Sequence, residues 1–307
     1  MRFGVCIPHY GRPIDAGGLT EMAIKAEEMG FDSVWVTDHI IVPHVIPDRE
    51  DGHIVYRHDM LEPLALLTHL GAVTKRVNIG TSVIILPYRN PVILAKAIAT
   101  ADVLSGGRVI FGAAVGWMEG EFQALNAPFA DRGRVSDEYL KLLKELWTNP
   151  TPTFQGEYFH FDQVTFSPMP VQQPHPPIWI GGRTRRAVRR AVALGDFWHP
   201  TQLPPRELSP LVDYMKRHSA SVGRETPPQL SFRGILNFSD DSGPERRPFH
   251  GNAEDIAADL QEYAQIGVSH VILEIPGESF ADKFRAMERF QVEVKPLVQI
   301  SSSDLPR

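Results

Sequence analysis

Cysteine occurs once in these 307 residues, at Cys6 inside the first apolar run. A disulfide would need a second chain and a zinc site would lack companions, so Cys6 reads as a small core residue. Positive charge is also in deficit, with 31 lysines and arginines against 37 aspartates and glutamates for a net charge of −6. Such a field repels phosphate backbones and argues against nucleic acid as a partner. Long apolar runs are missing as well. With no window of about 18 apolar residues, a membrane-spanning helix is not expected. The opening MRFGVCIPHYGR lacks the apolar stretch and small-residue cleavage site of a secretory signal, so a cytoplasmic location is expected.

What is present is an ordinary globular composition, 43% hydrophobic and 22% charged, from which a sizeable core follows. The 26 prolines gather at 168–177, 204–210 and 226–228, between periodic segments, and punctuate loops. Short β-branched runs alternate with amphipathic ones: RFGVCIP (2–8), LTEMAIKAEEMG (19–30), SVWVT (33–37) and EPLALLTHLGAVT (62–74). This is a repeated βα unit. The pattern continues through VNIGTSVII (77–85), a helix at 91–107 opened by Pro91 and closed by Gly106 and Gly107, RVIFGAAVG (108–116) and a helix at 134–147. It then breaks at 153–166, where alternation predicts a hairpin insertion. Further strands follow at 177–182, 196–200, 229–238 and 269–275, with helices at 184–195, 207–222, 252–267 and 279–294.

About eight such units imply a parallel sheet covered by helices, and eight units can close into a (β/α)8 TIM barrel formed by one domain, 1–307. An open doubly wound sheet is the alternative, but the turn after the first strand reads Pro8-His9-Tyr10-Gly11-Arg12, not the Gly-rich turn of that fold. In a barrel the chemistry lies in loops after strands. The stretches 38–61 and 116–133, after strands two and four, then roof a site, while 239–251, after strand seven, reads equally as a lid or a disordered loop.

Four places carry candidate chemistry. Asp38-His39 directly follows strand two, pairing an acceptor with an imidazole suited to proton transfer; a turn cap beside a structural histidine is an equal reading. Gly181-Gly182-Arg183-Thr184 precedes a helix and could cradle a phosphate, or form a tight βα turn. Thr81-Ser82-Val83, and Gly112 to Trp117 including Gly116, leave room for a flat ligand on which Trp117 could pack. Trp35 and Trp179, in mid-strand, read as core, and no His-x-His pair on the first strand supports a metal site.

Read together, Gly30-Phe31-Asp32-Ser33-Val34-Trp35-Val36-Thr37-Asp38-His39, Gly80-Thr81-Ser82-Val83, Gly112 to Trp117 with Glu119 and Glu121, and Gly181-Gly182 before Gly195-Asp196 resemble the luciferase-like monooxygenases over nearly the whole chain. The resemblance is closest to the branch that uses coenzyme F420. It implies a cofactor ring near Asp38, His39 and the strand-three turn, with a non-prolyl cis peptide at Ser82-Val83. It further implies phosphate binding by Gly116 and Trp117 and by Gly181, Gly182 and Arg183. His39 matches a histidine proposed to transfer a proton in the sugar-phosphate dehydrogenase branch. Where that branch has a catalytic glutamate this chain has Trp117, which counts against sugar-phosphate dehydrogenation. The implied activity is hydride transfer between reduced F420 and a small organic substrate, with His39 handling the proton and Asp38 orienting it or the cofactor. The alternatives are an FMN-dependent monooxygenase using O2 and, from another class, a non-catalytic flavin-binding barrel. Relatives commonly dimerise, so a homodimer is expected.

Overall fold

The computed structural model describes residues 1–11, 14–43, 59–240, 243 and 246–298. Strands and helices alternate along the chain as a (β/α)8 barrel. The described residues form two compact units: Met1–Ile7, Thr20–Trp35 and Trp179 onward in the first, Pro8–Leu19 and Val36–Ile178 in the second.

In the first unit β1 (Arg2–Cys6) pairs in parallel with β2 (Ser33–Val36) on one side and with the last strand of the chain, Val268–Glu274, on the other. Three more strands, Ile178–Gly181, Phe197–His199 and Gln229–Ile235, extend that parallel sheet. Their buried faces meet in an aromatic core. Trp179 lies 4.7 Å from Trp35 and 4.4 Å from Phe197, ring centre to ring centre. Some polar atoms within that core are matched locally, the Trp35 indole donating to Ser33 Oγ at 2.7 Å and His270 Nε2 meeting the same hydroxyl at 2.8 Å, while Trp179 Nε1 and His270 Nδ1 are buried without a hydrogen-bond partner among the described residues. Gly4 makes this possible, because a Cβ there would come 2.3 Å from Ser33 Oγ and 2.5 Å from the Trp35 nitrogen. Cys6 is buried as expected, and burial pushes its thiol up to about 12, so it stays neutral.

In the second unit α2 (Pro63–Val73) leads into β3 (Asn78–Thr81) and the two-residue β4 (Ile84–Ile85), and both strands run parallel to β5 (Val109–Ala114). Between them α3 (Pro91–Ser105) starts as its sequence dictates. Asn90 Oδ1 accepts from the Val92 and Ile93 amides, Pro91 occupies the first turn, and Gly106 closes the helix at φ 73°. After α4 (Glu119–Ala124) and α5 (Arg132–Thr148) comes the expected hairpin, β6 (Phe154–Gln155) against β7 (His160–Phe161). Its turn is fixed by one side chain, since Glu138 on α5 accepts from the amides of Glu157, Tyr158 and Phe159 at 2.6–2.9 Å.

The strand expected at 77–85 is interrupted by a cis peptide at Ser82-Val83, the bond the resemblance implied. The strand expected at 229–238 divides into β10 (Gln229–Ile235) and β11 (Asn237–Phe238), if Ile178–Gly181 and Phe197–His199 are counted as β8 and β9. β11 pairs with β12 (His250–Gly251), which makes Val268–Glu274 β13. For the 239–251 loop, Arg246 grips Asp259 with both guanidinium nitrogens, so the segment from 246 onward is anchored. Residues 241–242 and 244–245 of that loop, and 44–58 of the stretch expected to roof the site, lie outside the described residues. Among the described residues no helix is long and apolar enough to cross a membrane.

Candidate active site

The site is built at the carboxyl end of β2, where His9 receives the backbone. His9 Nε2 accepts from the Thr37 amide at 2.9 Å while Nδ1 lies 3.2 Å from the Leu61 carbonyl. An imidazole with one accepting nitrogen must donate through the other, so His9 is neutral and ties residue 37 to residue 61.

Asp38 and His39 follow at once and both are buried. Asp38 accepts from Arg89 Nη1 at 2.6 Å, Arg89 Nη2 at 2.8 Å and the Ile85 amide at 2.8 Å. Burial raises the Asp38 carboxyl above its ordinary value, while the Arg89 hydrogen bonds and charge and the Ile85 amide pull the other way. For Arg89 burial also opposes charge, but the bonds to Asp38 and Glu62 outweigh it and hold the guanidinium above its ordinary value. The bidentate geometry makes this an ion pair. Glu62 in turn gives its second oxygen to the Ala65 amide, capping α2.

His39 has a different partner. Its Nδ1 lies 2.7 Å from Oε2 of Glu121, a side chain with no solvent exposure on α4. Burial works against the Glu121 charge, yet its bonds with His39 and the Ile40 and Ile41 amides hold the carboxyl below the usual range. Tyr88 donates to the same Oε2 at 3.0 Å; burial and the Glu121 charge raise its phenol, which stays protonated. Trp117 lies edge-on to His39 at 6.3 Å. The sequence reading gave Asp38 the task of orienting His39 or the cofactor; the Asp38 carboxylate binds Arg89 and Ile85, and the carboxylate on the His39 ring is Glu121.

The remaining expected residues of this unit are shaped by close approach. Thr81 Oγ1 donates to the Gly112 carbonyl at 2.7 Å and accepts from the Gly112 amide at 2.9 Å, and a Cβ on Gly112 would fall 1.8 Å from the Thr81 oxygen. Ser82 is buried and Val83 half-buried. Gly116 has φ 79°, and a Cβ there would meet Ile85 at 2.6 Å, so the Gly116-Trp117 turn presses on the Ile85, Tyr88 and Phe122 cluster. Thus Asp38, His39 and Trp117 come together, and Asp38 is tied through Ile85 to the strand that follows Ser82-Val83.

Gly181, Gly182 and Arg183 belong to the first unit. Gly182 has φ 119°, and Thr184 caps α6 (Arg185–Leu194) by accepting from the Ala187 amide. Arg183, Arg185 and Arg186 are exposed. This turn fits a phosphate: a side-chain-free backbone at Gly182, the positive end of a helix, and guanidinium donors.

Arg89, Glu121, Tyr88 and His9 were not assigned roles from sequence. Arg89 had a signal in its place just after a strand; Glu121 had only its nearness to Glu119, which is exposed.

A buried, carboxylate-held imidazole at a strand's carboxyl end places the candidate site where (β/α)8-barrel enzymes carry theirs. More closely, the chain belongs to the luciferase-like monooxygenase family, whose model matches residues 1–242. It is 30% identical over 165 residues to the FMNH2-dependent dimethylsulfone monooxygenase of Pseudomonas putida, covering 53% of this chain and 45% of that protein. It is 38% identical over 183 residues to the F420-dependent glucose-6-phosphate dehydrogenase of Amycolatopsis mediterranei, covering 58% and 51%. The matched region is therefore about half of each relative. An F420-dependent secondary alcohol dehydrogenase solved with an F420–acetone adduct shares the fold, with a TM-score of 0.75 at 20% identity over 97% of this chain and 99% of that one. Both F420 and FMN users thus occur among its relatives.

Proposed function

We propose that the chain is an F420-dependent oxidoreductase acting on a small organic substrate. The observation that carries this reading is His39, a buried imidazole fixed through one nitrogen at the carboxyl end of β2. Reduced F420, when bound, supplies a hydride. The residues of the chain handle the proton and the orientation. His39 gives a proton to, or takes one from, the substrate oxygen as its carbon changes oxidation state. Asp38, itself gripped by Arg89, holds the Ile85 amide and with it the strand after Ser82-Val83, so that Thr81, Ser82 and Val83 present a fixed surface to the cofactor ring. Gly116 and Trp117, and Gly181, Gly182 and Arg183, are assigned to the cofactor's phosphate.

The exposed Arg183 and Arg185 favour F420 over FMN, because F420 carries a polyglutamyl tail whose carboxylates suit guanidinium partners. The deciding experiment is fluorescence titration of the purified apoprotein with F420 and, separately, FMN. Tighter binding of F420 supports the reading. Preference for FMN overturns it in favour of an oxygen-using monooxygenase, and binding of neither leaves the cofactor assignment without support.

A further inference from the structure

Glu121 is surrounded by hydrogen-bond donors. Its Oε1 accepts from the Ile40 amide at 2.5 Å and the Ile41 amide at 3.2 Å, and its Oε2 accepts from the Tyr88 hydroxyl at 3.0 Å. The remaining neighbour is His39 Nδ1, 2.7 Å from Oε2. An ionised carboxylate only accepts, so the ring nitrogen facing it must carry the hydrogen. The helix that brings Glu121 here packs closely on the same segment: a Cβ on Gly120 would come 2.6 Å from Pro43. The carboxylate is thereby bound to His39 and to the two residues after it at once, so that neither can turn without the other.

We infer that Glu121 is the positioning residue that fixes His39 as its Nδ1–H tautomer, leaving Nε2 as the nitrogen that exchanges the proton. The catalytic meaning of this rests on the proposed role of His39, but the tautomer is a property of the protein alone. In Glu121→Gln the amide oxygen stays with the Ile40 and Ile41 amides, which need an acceptor, and the NH2 turns to His39. Nδ1 then becomes an acceptor and the ring hydrogen moves to Nε2.

The test is ¹⁵N NMR of histidine-labelled apoprotein at about pH 8, above the ordinary histidine range, with the His39 signals assigned by their loss in H39A. The expected result is a pyrrole-type Nδ1 and pyridine-type Nε2 in the wild type, inverted in E121Q. A wild-type ring protonated on Nε2 or on both nitrogens overturns the inference, as does an E121Q ring unchanged from wild type. Should E121Q fail to fold, the wild-type spectrum still decides. Failure of F420 to bind would sink the functional reading and leave the tautomer result intact.

Discussion

Oε2 of Glu121 lies 2.7 Å from Nδ1 of His39 across 82 residues of sequence, and neither side chain is more than 7% exposed. An imidazole so held has one orientation to offer, and in the proposed mechanism it handles the proton. Its removal should therefore be felt in the chemical step and little in binding. His39→Ala is expected to lower turnover about 10²- to 10⁴-fold while F420 affinity changes by less than about 1 kcal/mol, the cost of one ordinary neutral contact. Steady-state kinetics with parallel fluorescence titration check this, and unchanged turnover would remove His39 from the mechanism.

The Asp38–Arg89 pair makes a statement about stability. Arg89→Met leaves Asp38 buried among neighbours that no longer balance its charge, and the expected loss is about 3–5 kcal/mol. The double variant D38N/R89M, with no charge to strand, should lose less than R89M alone. Urea denaturation of both proteins gives the comparison.

Arg183 is exposed and should matter to the ligand but not to the fold. Arg183→Ala is expected to weaken F420 binding about tenfold, the value of one charge-assisted bond, with no change in melting temperature. The difference between wild type and variant should shrink as salt is raised.

Acid sensitivity follows from histidines buried in the first unit. Burial, helped by the Arg233 charge, lowers His199 to about 3, and burial places His270 well below its ordinary value. Both are neutral in the folded chain but take up a proton in the unfolded one once pH falls below about 6.5. Their contribution to stability is full above that pH and is lost as pH falls, for His199 on descent toward about 3, at up to about 1.4 kcal/mol per pH unit for each ring. Thermal melts from pH 7.5 to 5 should show the decline, and His199→Gln should flatten it; an equal slope in the variant would exclude His199 as a cause.

The fold was legible because periodicity is local. The runs at 2–8, 33–37 and 108–116 became β1, β2 and β5, and the alternation at 153–166 became a hairpin, since each signal lies within a few residues. Asp38 and His39 were legible as candidates for the same reason: they stand at a strand's end. Their partners were not. Arg89 is 51 residues from Asp38 and Glu121 is 82 from His39, and no spacing rule connects residues that only the closed sheet brings together. Glu119 and Glu121 look alike in sequence, but on α4 two positions are about 200° apart around the axis, which sends one carboxylate to water and the other to His39.

Arg89 Nη2 donates to both Asp38 and Glu62, while Glu62 caps α2 with its remaining oxygen. This makes the start of a structural helix and the charge at the site heritable as one unit. A lineage that exchanged Glu62 for serine or aspartate would keep a sound cap by ordinary standards, yet a shorter side chain cannot reach both the helix amide and the guanidinium. Among descendants of this chain, drift at position 62 should therefore be accompanied by change at 38 or 89, and a library that randomises the helix start for thermal tolerance will sample the active site without intending to.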